Sequence, residues 1–108
     1  MSSLENFERM LAQGRDGALL RYSLGNEYLK VGRAVEATVH LREAVRLETN
    51  HSASWKLLGK ALAESGDLAG ARDTFRHGIG VAEAKGDVQA AKEMTVFARR
   101  IDKQLADT

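Results

Sequence analysis

The 108-residue sequence predicts an all-α protein of about six helices, arranged as a stack of helical hairpins that repeats along the chain. The chain contains no proline, which favours helices with few rigid breaks. A set of apolar and small residues also recurs at a spacing of 34 positions: Leu24, Gly25, Tyr28, Ala37 and Leu41, then Leu58, Gly59, Leu62, Ala71 and Phe75. Such a period is typical of hairpins that bury their apolar faces against their neighbours.

The first predicted helix covers about residues 3–13 and begins with a capping box. The Ser2 side chain can accept a hydrogen bond at the third helical amide, and Glu5 can reach back to Ser2. Phe7 precedes Leu41 by 34 residues, so segment 1–14 matches the second helix of a repeat. We interpret it as a half-repeat that covers one end of the stack.

Two full repeats follow, at 18–51 and 52–85, and each contains a first helix (A) and a second helix (B). Gly32 and Gly66 separate A from B, and Trp55 is expected to be buried against the preceding repeat. The predicted A helices cover about 17–31 and 53–64, and the predicted B helices cover about 34–48 and 68–85.

A final helix at about 87–106 is predicted to follow Gly86, with Asp87 as its N-cap. Its apolar stripe is expected to dock on the second B helix, or to form a dimer surface if it stays exposed. The stripe consists of Met94, Phe97, Ile101 and Leu105. Gly78 and Gly80 are expected to allow tight packing between these two helices, the alternative being a kink in the B helix.

The composition limits the classes of function. No cysteine is present, which removes thiol catalysis and Cys-type zinc sites and favours a cytoplasmic location. The three histidines have no metal-ligating spacing, and no catalytic or nucleotide-binding motif occurs, so we expect no enzyme activity, metal or cofactor. The net charge of +1 argues against nucleic-acid binding, for which six arginines are the candidates, and no apolar run suits a membrane span. The arginines are Arg42, Arg46, Arg72, Arg76, Arg99 and Arg100.

The repeated pattern resembles the tetratricopeptide repeat family, in particular its short, stand-alone bacterial members. The second copy carries Trp55, Leu58-Gly59, Leu62, Ala71 and Phe75 at the positions of that motif. The resemblance implies a right-handed α-solenoid whose A helices line a concave groove that binds a peptide or protein segment. Arg21, Gly78, Thr49 and Glu83 depart from the family pattern.

The residues predicted to face this groove are Leu19, Tyr22, Asn26, Leu29, Lys30, Lys56 and Lys60, beside Ala53, Ala63 and Glu64. Tyr22 and Asn26 share a helix face, as do Lys56 and Lys60. Two lysines one turn apart can bind a carboxylate. The family's carboxylate clamp is not expected, because Tyr22 and Leu57 replace a lysine and an asparagine that it requires. The sequence therefore predicts a non-catalytic protein-binding module, either a monomer or a weak homodimer. The alternatives are an adaptor or homodimer acting through the final helix and, less favoured, a nucleic-acid-binding protein.

Overall fold

A computed structural model describes residues 2–107, which form six α-helices and no strand. The predicted all-α architecture is confirmed, and each helix begins and ends within one residue of its predicted position. The helices are α1 (Ser3–Ala12), α2 (Ala18–Lys30), α3 (Ala34–Leu47), α4 (Ser52–Glu64), α5 (Leu68–Ala84) and α6 (Val88–Ala106).

Local hydrogen bonds explain where the last two helices begin. The Asp67 carboxylate accepts from the Gly70 amide, and the Asp87 carboxylate accepts from the Ala90 amide. Asp87 also accepts a hydrogen bond of 2.6 Å from the Ser52 hydroxyl, which lowers the pKa of this carboxyl group below its ordinary value. This bond joins the first turn of α4 to the first turn of α6.

The helices form two layers. Each helix packs on the next one in the chain, and α4 also contacts both α2 and α6, so α2, α4 and α6 lie side by side. We call these three helices the A layer, and α1, α3 and α5 the B layer. The resulting stack measures 43 × 32 × 18 Å between Cα positions, which gives it an extended outer side on the A layer.

Close contacts between the layers depend on glycine. A Cβ atom on Gly25 would lie 2.6 Å from Cδ2 of Leu41, and one on Gly59 would lie 2.6 Å from Cδ1 of Phe75. Gly78 allows a similar approach, because its Cβ would lie 2.6 Å from the Met94 sulfur. The tight packing predicted for Gly78 is therefore confirmed, whereas that predicted for Gly80 is wrong, since nothing lies within 4 Å of a Cβ there.

The apolar stripe of α6 docks on the rest of the stack. Met94 and Ile101 are buried, and Phe97 and Leu105 are half-buried against the core. Because the stripe is covered within the chain, a homodimer would have to use another face of α6. No helix in residues 2–107 combines the length and apolar character needed to cross a membrane.

Helix α1 has no buried residue and is held by polar contacts. The Tyr28 hydroxyl donates to the Glu8 carboxylate at 2.6 Å, and the His40 ring stacks on Tyr28 with a centroid distance of 5.4 Å. Arg21 lies 3.0 Å from Nδ1 of His40 and is also paired with Asp16, while Nε2 lies 3.7 Å from Glu8. Since the guanidinium can only donate, Nδ1 must accept, and the ring is neutral.

Acidification is expected to destabilise the protein through His40. Burial lowers the pKa of His40, and the nearby Arg21 charge lowers it further, while Glu8 and Asp16 act in the opposite direction. The stabilisation is therefore complete above the ordinary histidine pKa and is lost as the pH falls through the lower, folded-state pKa. Thermal unfolding at pH 7.5 and pH 5 should show a larger fall in Tm for wild type than for His40→Gln. Equal falls in the two proteins would contradict this role.

Candidate functional site

The exposed side of the A layer, which we call the A-face, carries most of the residues predicted to bind a partner. On α2, Leu19 is 75% exposed, and Lys30 is exposed and paired with Glu27 at 3.3 Å. An exposed leucine of this kind offers apolar contact area to a partner. The A-face therefore begins at α2 with an apolar side chain and a cation at opposite ends of the helix.

The middle of α2 is less open. Tyr22 is half-buried and meets the His51 ring edge-on at a centroid distance of 5.2 Å. Asn26 is half-buried one turn further along the helix. Leu29 is half-buried and packs against the hydrophobic core, so most of its side chain supports the fold. Tyr22 and Asn26 are thus better placed than Leu29 to contact a ligand.

The two lysines of α4 both reach across to α6. Nζ of Lys56 lies 3.3 Å from a carboxylate oxygen of Glu93, and Nζ of Lys60 lies 5.2 Å from the centre of the Phe97 ring. Lys56 already has a carboxylate partner. Lys60 is exposed and forms no ion pair among residues 2–107, so its charge remains available to a ligand.

A groove of about 230 Å³ lies between α4 and α6 beside Lys60. Phe97 and Ile101 supply apolar walls, while the charges of Lys60 and Arg100 lie at its edge. The full lining is Lys60, Ala63, Glu64, Phe75, Phe97, Arg100, Ile101 and Gln104. The groove can accept an apolar side chain and hold a neighbouring carboxylate with the two cations.

The contribution of α6 to the A-face was not predicted from the sequence. The final helix was interpreted as a cap, yet its burial pattern repeats that of the A helices at a spacing of 36 rather than 34. Leu24 and Leu58 match the buried Met94, and Leu62 matches the buried Ala98. A search that allowed the spacing to vary would have found this third A helix, and with it Glu93, Phe97, Arg100 and Gln104.

The chemistry of the described residues is that of a binding surface. No group of three or more His, Asp or Glu side chains within residues 2–107 is arranged to hold a metal ion. Ser52 and Ser54, the buried polar side chains, bond to Asp87 and His51 respectively. These serines therefore stabilise the turns around α4 and leave the A-face to carry any binding.

Similar proteins are known in two other bacteria. A curated TPR repeat-containing protein of Pseudomonas aeruginosa is 51% identical over 100 residues, which cover 93% of this chain and 95% of the relative. A protein of Bordetella parapertussis with a known solution structure is 41% identical and superposes with a TM-score of 0.83. That match covers 96% of this chain and 90% of the Bordetella chain. No family model matches the sequence.

Proposed function

We propose that this chain, which belongs to the tetratricopeptide repeat family, is a non-catalytic module that binds a segment of another protein on its A-face. Members of the family generally act as protein–protein interaction modules. The proposal adds the face that is used and the residues that contact the partner. The groove between α4 and α6 is the observation that carries it, because it combines an open apolar surface with a cation that has no ion-pair partner in the described part of the chain.

Each side chain of the A-face has a proposed role. Phe97 would pack against an apolar side chain of the partner, while Lys60 and Arg100 would bind a carboxylate beside it. Further along the face, Tyr22 and Asn26 would contact the partner's backbone, since an asparagine amide can both donate to and accept from a peptide group. Leu19 would extend the apolar contact at the far end of α2.

A protein partner is favoured over nucleic acid by the state of the arginines. Arg46 is paired with Glu43, Arg72 with Asp73 and Arg76 with Asp102, so their charges are largely compensated within the chain. Nucleic-acid binding depends on uncompensated positive charge that displaces counterions. We also propose that the protein acts in the cytoplasm without a cofactor, which its lack of cysteine supports.

Reversal of one charge in the groove tests the proposal. Peptides selected from a random phage-displayed library on the immobilised wild-type protein serve as probes, and their affinities are measured by fluorescence anisotropy. Lys60→Glu should weaken the selected peptides about tenfold or more, because it places a carboxylate where the ligand carboxylate would bind. Nuclear magnetic resonance titration with the same peptides should shift amide signals of α4 and α6.

Arg42→Glu provides the control, since it makes the same charge change on an exposed position of α3 in the B layer. It should leave the peptide affinity unchanged, and circular dichroism should show that both variants are folded. Selection of no peptide, or signal shifts confined to α1, α3 and α5, would disprove binding on the A-face.

A further inference from the structure

The two ends of the described stack carry unmatched halves of a repeat. In α2–α3 and α4–α5, a helix of the A layer packs against the helix of the B layer that follows it. Within residues 2–107, α1 has the pattern of a B helix with no A helix before it, whereas α6 has the pattern of an A helix with no B helix after it. Each end therefore lacks the helix that the other end resembles.

The unmatched face of α1 is defined by three positions. Ser3, Phe7 and Met10 precede their counterparts in α3 by 34 residues. All the counterparts in α3 and α5 are buried: Ala37, Leu41 and Ala44, and Ala71, Phe75 and Gly78. In α1, Ser3 is exposed, and Phe7 and Met10 are only half-buried. Helix α1 thus presents a B-type surface without the A helix that would cover it.

The unmatched face of α6 is an open groove of about 660 Å³. Thr95 and Ala91 in this groove follow Gly59 and Trp55 by 36 residues, and Phe75 and Gly78 of α5 pack at those positions of α4. Val88 and Val96 at the groove are 61% and 43% exposed. The full lining is Glu83, Gly86, Val88, Ala91, Lys92, Thr95, Val96 and Arg99.

We propose that α1 of one copy docks in the α6 groove of a second copy, so that the two helices complete a repeat between chains. The sizes of the facing side chains allow this docking. Trp55 faces Gly78 within the chain, and at the junction the small Ala91 would face the larger Met10. Thr95 replaces the glycine that makes room for Phe75, so Phe7 must lie further from α6, and the contact is weaker than a hairpin within one chain.

The charges favour this pairing over a symmetric contact between two α6 helices. The groove carries Lys92 and Arg99, which form no ion pair among residues 2–107, while α1 carries Glu5 and Glu8 against one arginine. A symmetric α6 contact would bring the Lys92 and Arg99 charges of both copies together, and like charges across an interface are unfavourable. An acidic helix in a basic groove avoids that repulsion.

Such an interface is heterologous, because the two copies use different surfaces. Each copy keeps one free end, so association can continue into short chains or close into a ring. Light scattering should show an average mass that rises above the 11.8 kDa of the monomer as the concentration increases. A symmetric contact would instead stop at twice the monomer mass.

Two blocked variants separate these possibilities. Ser3→Arg blocks the α1 surface, Thr95→Arg blocks the α6 groove, and each variant alone should remain a monomer. An equimolar mixture should form one-to-one dimers, because each variant retains the surface that the other has lost. Ala69→Arg adds the same charge at an exposed position of α5 and should associate as the wild type does.

A covalent test does not depend on the folding of the arginine variants. The chain contains no cysteine, so Met10→Cys/Ala91→Cys introduces a single pair, at positions that correspond to Gly78 and Trp55. Mild oxidation should give disulfide-linked dimers and larger species, whereas Met10→Cys with Ala69→Cys should give few. A wild-type protein that stays monomeric at all concentrations, or Ser3→Arg that still associates alone, would overturn the proposal.

Discussion

Phe75→Ala is expected to lower the free energy of unfolding by about 3–5 kcal/mol, the largest loss from any single substitution we consider. Phe75 is 1% exposed, contacts α4 at Gly59 and lies 5.5 Å from the Phe97 ring of α6. It is therefore shared by the last three helices. Its removal would leave a cavity that these helices cannot fill without moving apart.

Urea unfolding followed by circular dichroism measures this loss as a lower midpoint at an unchanged slope. Val35→Ala provides the control, since Val35 is 63% exposed on α3 and its replacement should change stability by about 0.5 kcal/mol or less. If the two substitutions had similar effects, Phe75 would not be the residue that joins the three helices.

Trp55 was expected to be buried, and this expectation is wrong. It is half-buried, its ring lies 4.2 Å from the His77 ring of α5, and its Nε1 donates to the Thr49 carbonyl oxygen. Sequence could place Trp55 on the correct helix, but burial depends on whether a neighbouring helix covers the ring. The helix that faces it here, α5, presents the exposed His77 at that point.

The fold could be predicted because its contacts are local and periodic. The close approaches at Gly25 and Gly59 repeat after 34 residues, so one hairpin predicts the other. The period failed at α6 because α5 continues to Ala84, three residues beyond the point that corresponds to Leu47 at the end of α3. That extension changes the spacing to 36 and hides the third A helix.

The candidate site was only partly predictable for the same reason. Tyr22, Lys56 and Lys60 follow from the helical positions within each repeat. The contacts that decide whether these charges are free do not, because Lys56 and Glu93 are 37 residues apart and meet only through the packing of α6. Charge alone made Lys56 and Lys60 equivalent, whereas the structure leaves Lys60 as the cation available to a ligand.

Gly59→Ala is expected to destabilise the protein by about 1–2 kcal/mol, although alanine is the better helix former by about 1 kcal/mol. The added Cβ would lie 2.6 Å from both Cδ1 and Cζ of Phe75. The Phe75 ring cannot move aside, because it is buried and packs against Phe97. Overpacking therefore outweighs the gain in helix propensity, and urea unfolding should show a lower midpoint.

Gly80→Ala is the matched control, because Gly80 lies inside α5 and nothing is within 4 Å of its Cβ position. It should raise stability by about 0.5–1 kcal/mol, so the two substitutions are expected to have opposite signs. In a Phe75→Ala background the ring is absent, and Gly59→Ala should then become stabilising as well. If Gly59→Ala remained destabilising in that background, contact with Phe75 would not be the cause of its effect.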